Sequence, residues 1–170
     1  KGGDQELPAL ECKEINSVSL SVMSYNVRGM RDGRNTDDLI ASVKSRNPDV
    51  FAAQEAVGSS ASNCAQWMQK FDQTLTDTYD CVKGIYVGKF DSYLPIFYKK
   101  DKFELVESGS KYLTHTPNEK SRLEGAEYDR QFTYAILKDK AAGVEFIYVN
   151  NHFDTAGYKI RTEEAKILAK

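Results

Sequence analysis

Cysteine is scarce in this 170-residue chain and never closely spaced. Cys12, Cys64 and Cys81 are odd in number and form no C-x-x-C pair, which argues against a zinc site. No stretch approaches the run of about 20 apolar residues that a membrane-crossing helix needs. Charge of one sign is also missing: 23 basic against 25 acidic residues leave a net charge of -2. A global positive field that would coat duplex nucleic acid is therefore absent, although a small phosphodiester or phosphate held by a metal is not excluded. Internal repeats and low-complexity segments are absent too.

What is present is the composition of an ordinary folded domain, with 41% hydrophobic and 28% charged residues. At this length a chain buries roughly 70% of the surface its unfolded form exposes. Residues 1–16 read as a polar lead-in and 17–170 as one domain. The first residue is Lys1 rather than methionine, and a polar Gly-Gly-Asp-Gln-Glu leader follows. It reads as a tether and gives the expectation of a secreted, periplasmic or cell-surface protein. The densest basic run, Lys99, Lys100 and Lys102, reads as a solvated hairpin edge.

Periodicity supplies the elements. A strand is expected over 17–26. After the glycines at 29 and 33, Thr36 caps a helix that carries Asp37 and Asp38 in its positive first turn and buries Leu39, Ile40 and Val43. Asn47-Pro48 ends it. The apolar run from Val50 to Ala53 predicts a strand covered on both faces. A second helix is expected over 61–74, with Trp67, Met68, Phe71 and then Leu75 on its core stripe. Cys64 and Cys81 flank that helix and the strand after it, so they are expected to lie close, and bridged if the protein is exported. Strands follow at 80–87, 93–99 and 103–108. A polar loop over 112–128 then leads to a hairpin of strands at 130–138 and 144–151. The closing helix, from 158, is expected to turn Ile160, Ala165, Ile167 and Leu168 inward.

Three strands end in side chains that seek metals or phosphates: Asn26 after SVSLSVMSYN, Glu55 after PDVFAAQE, and Asn150 with His152 after VEFIYVNNH. Residues two apart share a sheet face, which puts Asn26 with Val18, Leu20 and Val22, Glu55 with Phe51 and Ala53, and His152 with Phe146 and Tyr148. One such residue is explained by a strand leaving the core for water. Three of them, followed by Asp154, point to a shared site, because a lone carboxylate on a buried face costs several kcal/mol unless paired or coordinated. His115, in the polar loop, reads as a surface residue.

These segments resemble the endonuclease/exonuclease/phosphatase superfamily, the deoxyribonuclease I-like enzymes. SYNVRG matches its first strand, PDVFAAQE its metal strand, and RQFTYAIL followed by VNNHFD the hairpin that delivers its N-x-H-x-D motif. YLPIFYKKDKFELVESGSKYLTHTP matches its middle scaffold, and Arg161, Glu164, Ala165 and Leu168 fit the helix after the motif. The order of the matches, each at a strand end, carries the resemblance.

The resemblance implies an α/β fold of the α+β kind, a four-layer α/β/β/α sandwich that is incomplete in this chain. It implies metal-dependent hydrolysis of a phosphodiester or phosphomonoester by the complete protein, with Mg²⁺ as cofactor and Mn²⁺ as a substitute. Glu55 stands where the family binds metal, with Asn26 orienting that carboxylate, a metal water or a phosphate oxygen. His152 is expected to donate to a non-bridging phosphate oxygen, with Asn150 supporting it or meeting substrate and Asp154 orienting or charge-balancing the site. Arg130 has two readings, a phosphate contact and a strand-end ion pair with Asp129 or a glutamate. The substrate class is a phosphorylated molecule: nucleic acid, lipid head group or small phosphate. The family's Gly-Asp-x-Asn segment and Asp-His pair do not follow His152. That gap gives the expectation that these residues alone are inactive and that a further segment or a partner chain completes the site. The other functional class is a binding module that keeps the fold without the chemistry.

Overall fold

The structure is a computed structural model, described here for residues 18–27, 36–56, 73–87 and 93–170. Its strands form two sheets. The first contains β1 (Val22–Asn26), β2 (Val50–Gln54), β4 (Ile96–Lys99) and β3 (Tyr79–Val82), in that spatial order. The β1–β2 pair is parallel, with Val22 opposite Val50 and Asn26 opposite Gln54, and the pairs of β4 with β2 and β3 are antiparallel. The second sheet is the antiparallel meander of β5 (Phe103–Tyr112), β6 (Gln131–Asp139) and β7 (Glu145–Asn151). The parallel β1–β2 pair needs a crossover, and α1 (Thr36–Arg46) supplies it.

Helix α1 forms where the sequence signals place it. Asp37 and Asp38 face the positive end of the helix dipole, and Lys44 and Arg46 the negative end. Asn47 then adopts a left-handed φ of 45°, a conformation that asparagine tolerates at a helix C-terminus and that Pro48 makes final. Leu39, Ile40 and Val43 of α1 bury against Phe51, Ala53, Tyr79 and Phe97 on the outer face of the first sheet. Phe51 and Phe97 stack with centroids 4.4 Å apart, a contact worth about 1 kcal/mol beyond the area it buries.

The opposite face of β2 looks into the second core, between the sheets. There Val50, Ile96 and Tyr98 meet Phe103, Ala135 and Leu137, with Leu20, Phe146 and Tyr148 at the margin. The expected two-sided burial of β2 is thus observed, each face serving a different layer. Strand β6 shows the matching alternation, its inward residues buried and its outward ones half-buried.

Some expectations need correction. The strand expected over 80–87 closes at Val82, and the chain then leaves the sheet to pack on β5 and β6. Gly84, at φ 79°, sits so close to Thr133 and Ser110 that a Cβ there would collide with the threonine hydroxyl. Strand β5 continues to Tyr112 with a bulge between Leu105 and Glu107, which lets it stay paired with β6 beyond the expected end. Lys99 and Lys102 are not a solvated edge, because both bind Asp49, at 3.1 and 2.7 Å. The helix expected over 61–74 falls outside the described residues except at its end, where residues 73–75 are helical. The pairing of Cys64 with Cys81 likewise lies outside the described residues.

Helix α2 (Tyr158–Leu168) departs most from its expected packing. Ile160, Ile167 and Leu168 are half-buried and Ala165 is exposed, while the buried residue of the helix is Glu164.

Candidate active site

The C-terminal ends of β1, β2 and β7 gather at one rim of the sandwich. Asn26 closes β1, and its Nδ2 donates to Glu55 Oε1 at 2.9 Å. His152 follows β7 and brings Nε2 to 3.9 Å from the same carboxylate oxygen. Residues 26, 55 and 152, far apart in sequence, therefore stand side by side.

Glu55 reaches this rim by a route that strand parity does not foresee. Strict alternation would aim it with Phe51 and Ala53 at the α1 layer. Instead β2 ends at Gln54, and Glu55 takes a left-handed φ of 54°. For a non-glycine residue this conformation costs about 1–3 kcal/mol, and such strain clusters at functional sites. The turn delivers the carboxylate to Asn26, on the side of β1 that faces the second sheet.

His152 is held from behind. Arg130 Nη1 lies 3.1 Å from His152 Nδ1. A guanidinium only donates, so Nδ1 accepts and the neutral ring carries its proton on Nε2, the nitrogen turned toward Glu55. Burial, and then the Arg130 charge, hold the imidazole below its usual pKa against the opposing pull of Glu55, Glu164 and Asp154. The ring is thus favoured in its neutral, Nε2-donating form.

Arg130 is itself 4% exposed, and the carboxylate it meets is that of Asp154, where the ion-pair reading offers Asp129 or a glutamate. Its Nε lies 3.4 Å from Asp154 Oδ2, and its Cζ sits 4.7 Å from the centroid of the Tyr128 ring. Asp129 instead takes Arg122 at 2.7 Å and Lys120 at 3.7 Å. Burial pulls the Arg130 guanidinium below its ordinary pKa, and Asp154 and Glu164 oppose that pull.

Asp154 is buried at the turn after β7 and accepts from the backbone N–H groups of Glu127, Tyr128 and Ala156 at 3.1, 2.9 and 2.8 Å. Burial pushes its pKa up, but these donors and Arg130 outweigh burial and leave it below the usual carboxylate value. The polar loop over 112–128 is therefore tied at its far end to the same turn that follows the N-x-H-x-D histidine.

Asn150 lies inside the sandwich, 2% exposed. Its Nδ2 donates to the carbonyls of Ala53 and Pro95 at 2.9 and 3.0 Å, and its Oδ1 accepts from Gln54 Nε2 at 2.7 Å. An amide so placed fastens the end of β2 to β7 across the core. His115 is exposed and lies 3.8 Å from Glu163, away from this cluster.

Two residues of this network lie within the matched segments, yet their contacts escape the sequence patterns. Gln54 shares the inter-sheet face with Val50 and Ala52, yet its partner is 96 positions away. Glu164 sits at i+4 from Ile160 and just before Ile167 and Leu168, the centre of the apolar stripe, and a carboxylate in that place was the available signal. Its Oε2 accepts the Asp154 backbone N–H at 2.8 Å. Burial raises its pKa, and the neighbouring Asp154 charge adds to the rise.

The donor set suits a hard cation. A carboxylate held at one oxygen by an amide N–H fits magnesium, which prefers oxygen ligands and keeps several waters. Among the described residues, histidine, cysteine, aspartate and glutamate form no group of three or more that could hold a metal.

Two sheets packed face to face, with a strand-end polar site at one rim, are the architecture of the deoxyribonuclease I-like fold, and this chain has part of it. The likeness to the endonuclease/exonuclease/phosphatase superfamily drawn from the motifs is thereby shown in the structure. The chain is similar to an endonuclease/exonuclease/phosphatase family protein from Bacteroides thetaiotaomicron, with 28% identity and a TM-score of 0.76 over 88% of this chain and 56% of that one. It is similar to a mannosyl-6-phosphatase of the same organism, with 29% identity and a TM-score of 0.76 over 89% of this chain and 58% of that one. The D. rerio protein TDP2, solved with a single-strand DNA product, shares the fold at 18% identity and a TM-score of 0.62, over 88% of this chain and 52% of that one. This chain thus spans little more than half the length of these structures. No family model and no curated protein sequence matches it.

Proposed function

We propose that the full-length protein hydrolyses a phosphoester bond with the help of a divalent metal, magnesium or in its place manganese. The observation that carries this reading is the convergence of Asn26, Glu55 and His152 Nε2 at one rim, the histidine proton aimed at the carboxylate by Arg130. The phosphatase and the DNA-bound protein among the similar structures support phosphoester chemistry in general.

Glu55 is the residue that would hold the metal, and Asn26 orients its carboxylate through the Nδ2 donor. The metal, when bound, supplies Lewis-acid polarisation of the phosphoryl group. His152 donates from Nε2 to a non-bridging phosphate oxygen, where negative charge grows as the bond to phosphorus is attacked. Arg130 keeps Nδ1 occupied, so that Nε2 remains the donor. Asn150 and Asp154 act from inside the fold: the first fixes the end of β2 against β7, and the second fixes Arg130. The phosphorylated substrate is a nucleic acid, a lipid head group or a small phosphate, and the choice among them lies in loops rather than in these groups.

The test is release of p-nitrophenol from bis-(p-nitrophenyl) phosphate and p-nitrophenyl phosphate by the full-length protein, with Mg²⁺ and after chelation. Turnover that needs the metal and falls by about 10²-fold in His152→Ala is expected. Turnover indifferent to chelation would reject the metal role. Turnover indifferent to His152 would reject the donor role. No turnover on either ester would favour a binding module.

A further inference from the structure

Glu164 is the one fully buried residue of α2, and it is a carboxylate. An apolar side chain at that stripe position would pack the helix without the cost of burying a charge. The residue instead spends Oε2 on the Asp154 backbone N–H, at 2.8 Å. That N–H belongs to the turn that also aims the Asp154 carboxylate, and the carboxylate meets Arg130 Nε at 3.4 Å. Arg130 in turn meets His152 Nδ1 at 3.1 Å. Four residues from α2, the turn after β7 and the start of β6 therefore form one chain of polar contacts ending at the imidazole.

We propose that Glu164 is a positioning residue for His152, acting through Asp154 and Arg130 to fix which ring nitrogen carries the proton. The inference rests on the reading above, in which His152 donates from Nε2.

Two alternatives at the same place carry less. The His115–Glu163 pair is exposed at 3.8 Å and has no buried partner to give it a task. The Thr114, Thr116 and Ser121 hydroxyls bind one another at 2.6 and 2.8 Å, which accounts for them as a loop clasp. Glu164 differs because its bond leads to a group with chemistry.

The length of the arm decides the effect. A carboxylate one carbon shorter cannot reach the Asp154 N–H from the same helix position, and leucine has no acceptor at all. Either change frees the turn, lets the Asp154 carboxylate drift from Arg130, and allows His152 to sample the other tautomer. Glutamine keeps a carbonyl oxygen at the original reach and restores the bond without the charge. A purely structural Glu164 would change the stability of α2 in these variants and leave the imidazole as it is.

The chain holds only two histidines, so ¹⁵N-histidine labelling gives two ring systems to assign, those of His115 and His152. Long-range ¹⁵N–¹H correlation spectra of the neutral rings read the tautomer directly. Wild type and Glu164→Gln should show His152 protonated on Nε2, while Glu164→Asp and Glu164→Leu should show a mixture of the two tautomers. In the full-length protein kcat should fall by about 10-fold or more in the aspartate and leucine variants, with KM little changed, and glutamine should recover most of the loss. A misplacement of about 1 Å costs up to 10²-fold in comparable sites.

If leucine prevents folding, the aspartate variant carries the comparison by itself. An unaltered His152 tautomer in folded Glu164→Asp overturns the proposal. Full turnover in His152→Ala overturns the functional reading beneath it, and the tautomer spectra, which need no turnover, separate the two failures.

Discussion

Strands β1 and β2 carry a carboxylate at each end of their shared pair, and the two are treated in opposite ways. At the N-terminal end Asp49 is enclosed: the Ser21 N–H donates to Oδ2 at 3.1 Å, Lys102 Nζ to the same oxygen at 2.7 Å, and Lys99 Nζ to Oδ1 at 3.1 Å. At the C-terminal end Glu55 has one amide donor among the described residues, Asn26, and an imidazole at 3.9 Å. The Asp49 side chain is 13% exposed and that of Glu55 31%. A carboxylate saturated by the protein's own cations is committed to the fold. One held in place by a single amide keeps lone pairs for a ligand.

The largest expected effect comes from the open end. Glu55→Gln in the full-length protein should lower turnover at limiting Mg²⁺ by about 10²–10³-fold, or roughly 3–4 kcal/mol of barrier. Its unfolding midpoint should stay close to wild type, since a partly exposed side chain with one amide bond contributes within about 0.5 kcal/mol. Steady-state rates across a Mg²⁺ titration, beside urea melts, make the measurement. A variant that unfolds early while its folded fraction turns over normally would make Glu55 a second Asp49.

The closed end should answer in the other currency, stability. Asp49→Asn removes a charge from between two ammonium groups and should cost about 2–3 kcal/mol in urea unfolding, with turnover of the folded protein unchanged. Acid gives the same residue a signature. Burial pushes the Asp49 pKa up, but the Lys102, Ser21 and Lys99 bonds outweigh it and hold the group well below the ordinary carboxylate value. A group depressed in the folded state stabilises above its unfolded pKa of about 3.9 and loses that contribution as pH falls toward its folded one. The gap between wild type and Asp49→Asn should therefore be full at pH 5–7 and narrow steadily below about pH 4. A gap that ignores pH would mean that the lysines do not hold an ionised Asp49.

How far the sequence could be read follows the same division. Val50 to Ala53, Leu39, Ile40 and Val43, and the alternation of β6 declare themselves because burial repeats with the period of the element. Asn26, Glu55 and His152 declare themselves as polar residues where apolar strands stop. Side-chain direction was legible only while the backbone stayed extended, and the left-handed φ at Glu55 is invisible in PDVFAAQE. Partner choice was not legible, because the Asp49–Lys99 and Asp49–Lys102 contacts span 50 and 53 positions and look like ordinary surface charges until the strands pair. The motif match included Glu164, but its burial was hidden for a related reason: a stripe search counts apolar residues and skips the carboxylate in their midst.

The smallest effect tests how tightly the closed end is sealed. Tyr79 lies beside Asp49, 5% exposed, with its ring edge-on to Phe51 at 5.3 Å and its hydroxyl donating to the Pro48 carbonyl at 2.7 Å. Tyr79→Phe keeps the ring and deprives that carbonyl of its donor, at a cost of about 1 kcal/mol near neutral pH. Burial, and then the charges of Asp49 and Asp101, push the phenol up to about 12. A group whose folded pKa lies above its unfolded value of about 10 contributes stability that is fully present below 10 and is lost as pH rises through the folded value. Phenylalanine has no proton to lose, so the variant escapes this part of the alkaline decline. Each pH unit above 10 removes up to about 1.4 kcal/mol from the wild type relative to Tyr79→Phe, enough to erase its lead within the first unit or so. Urea unfolding of the pair from pH 7 to 12 should show wild type ahead at first and the two curves crossing between pH 10 and 12. Other tyrosines titrate equally in both proteins and cancel in the difference. Parallel curves over the whole range would place the Tyr79 hydroxyl in water and leave the N-terminal end of β2 as open as the end that holds Glu55.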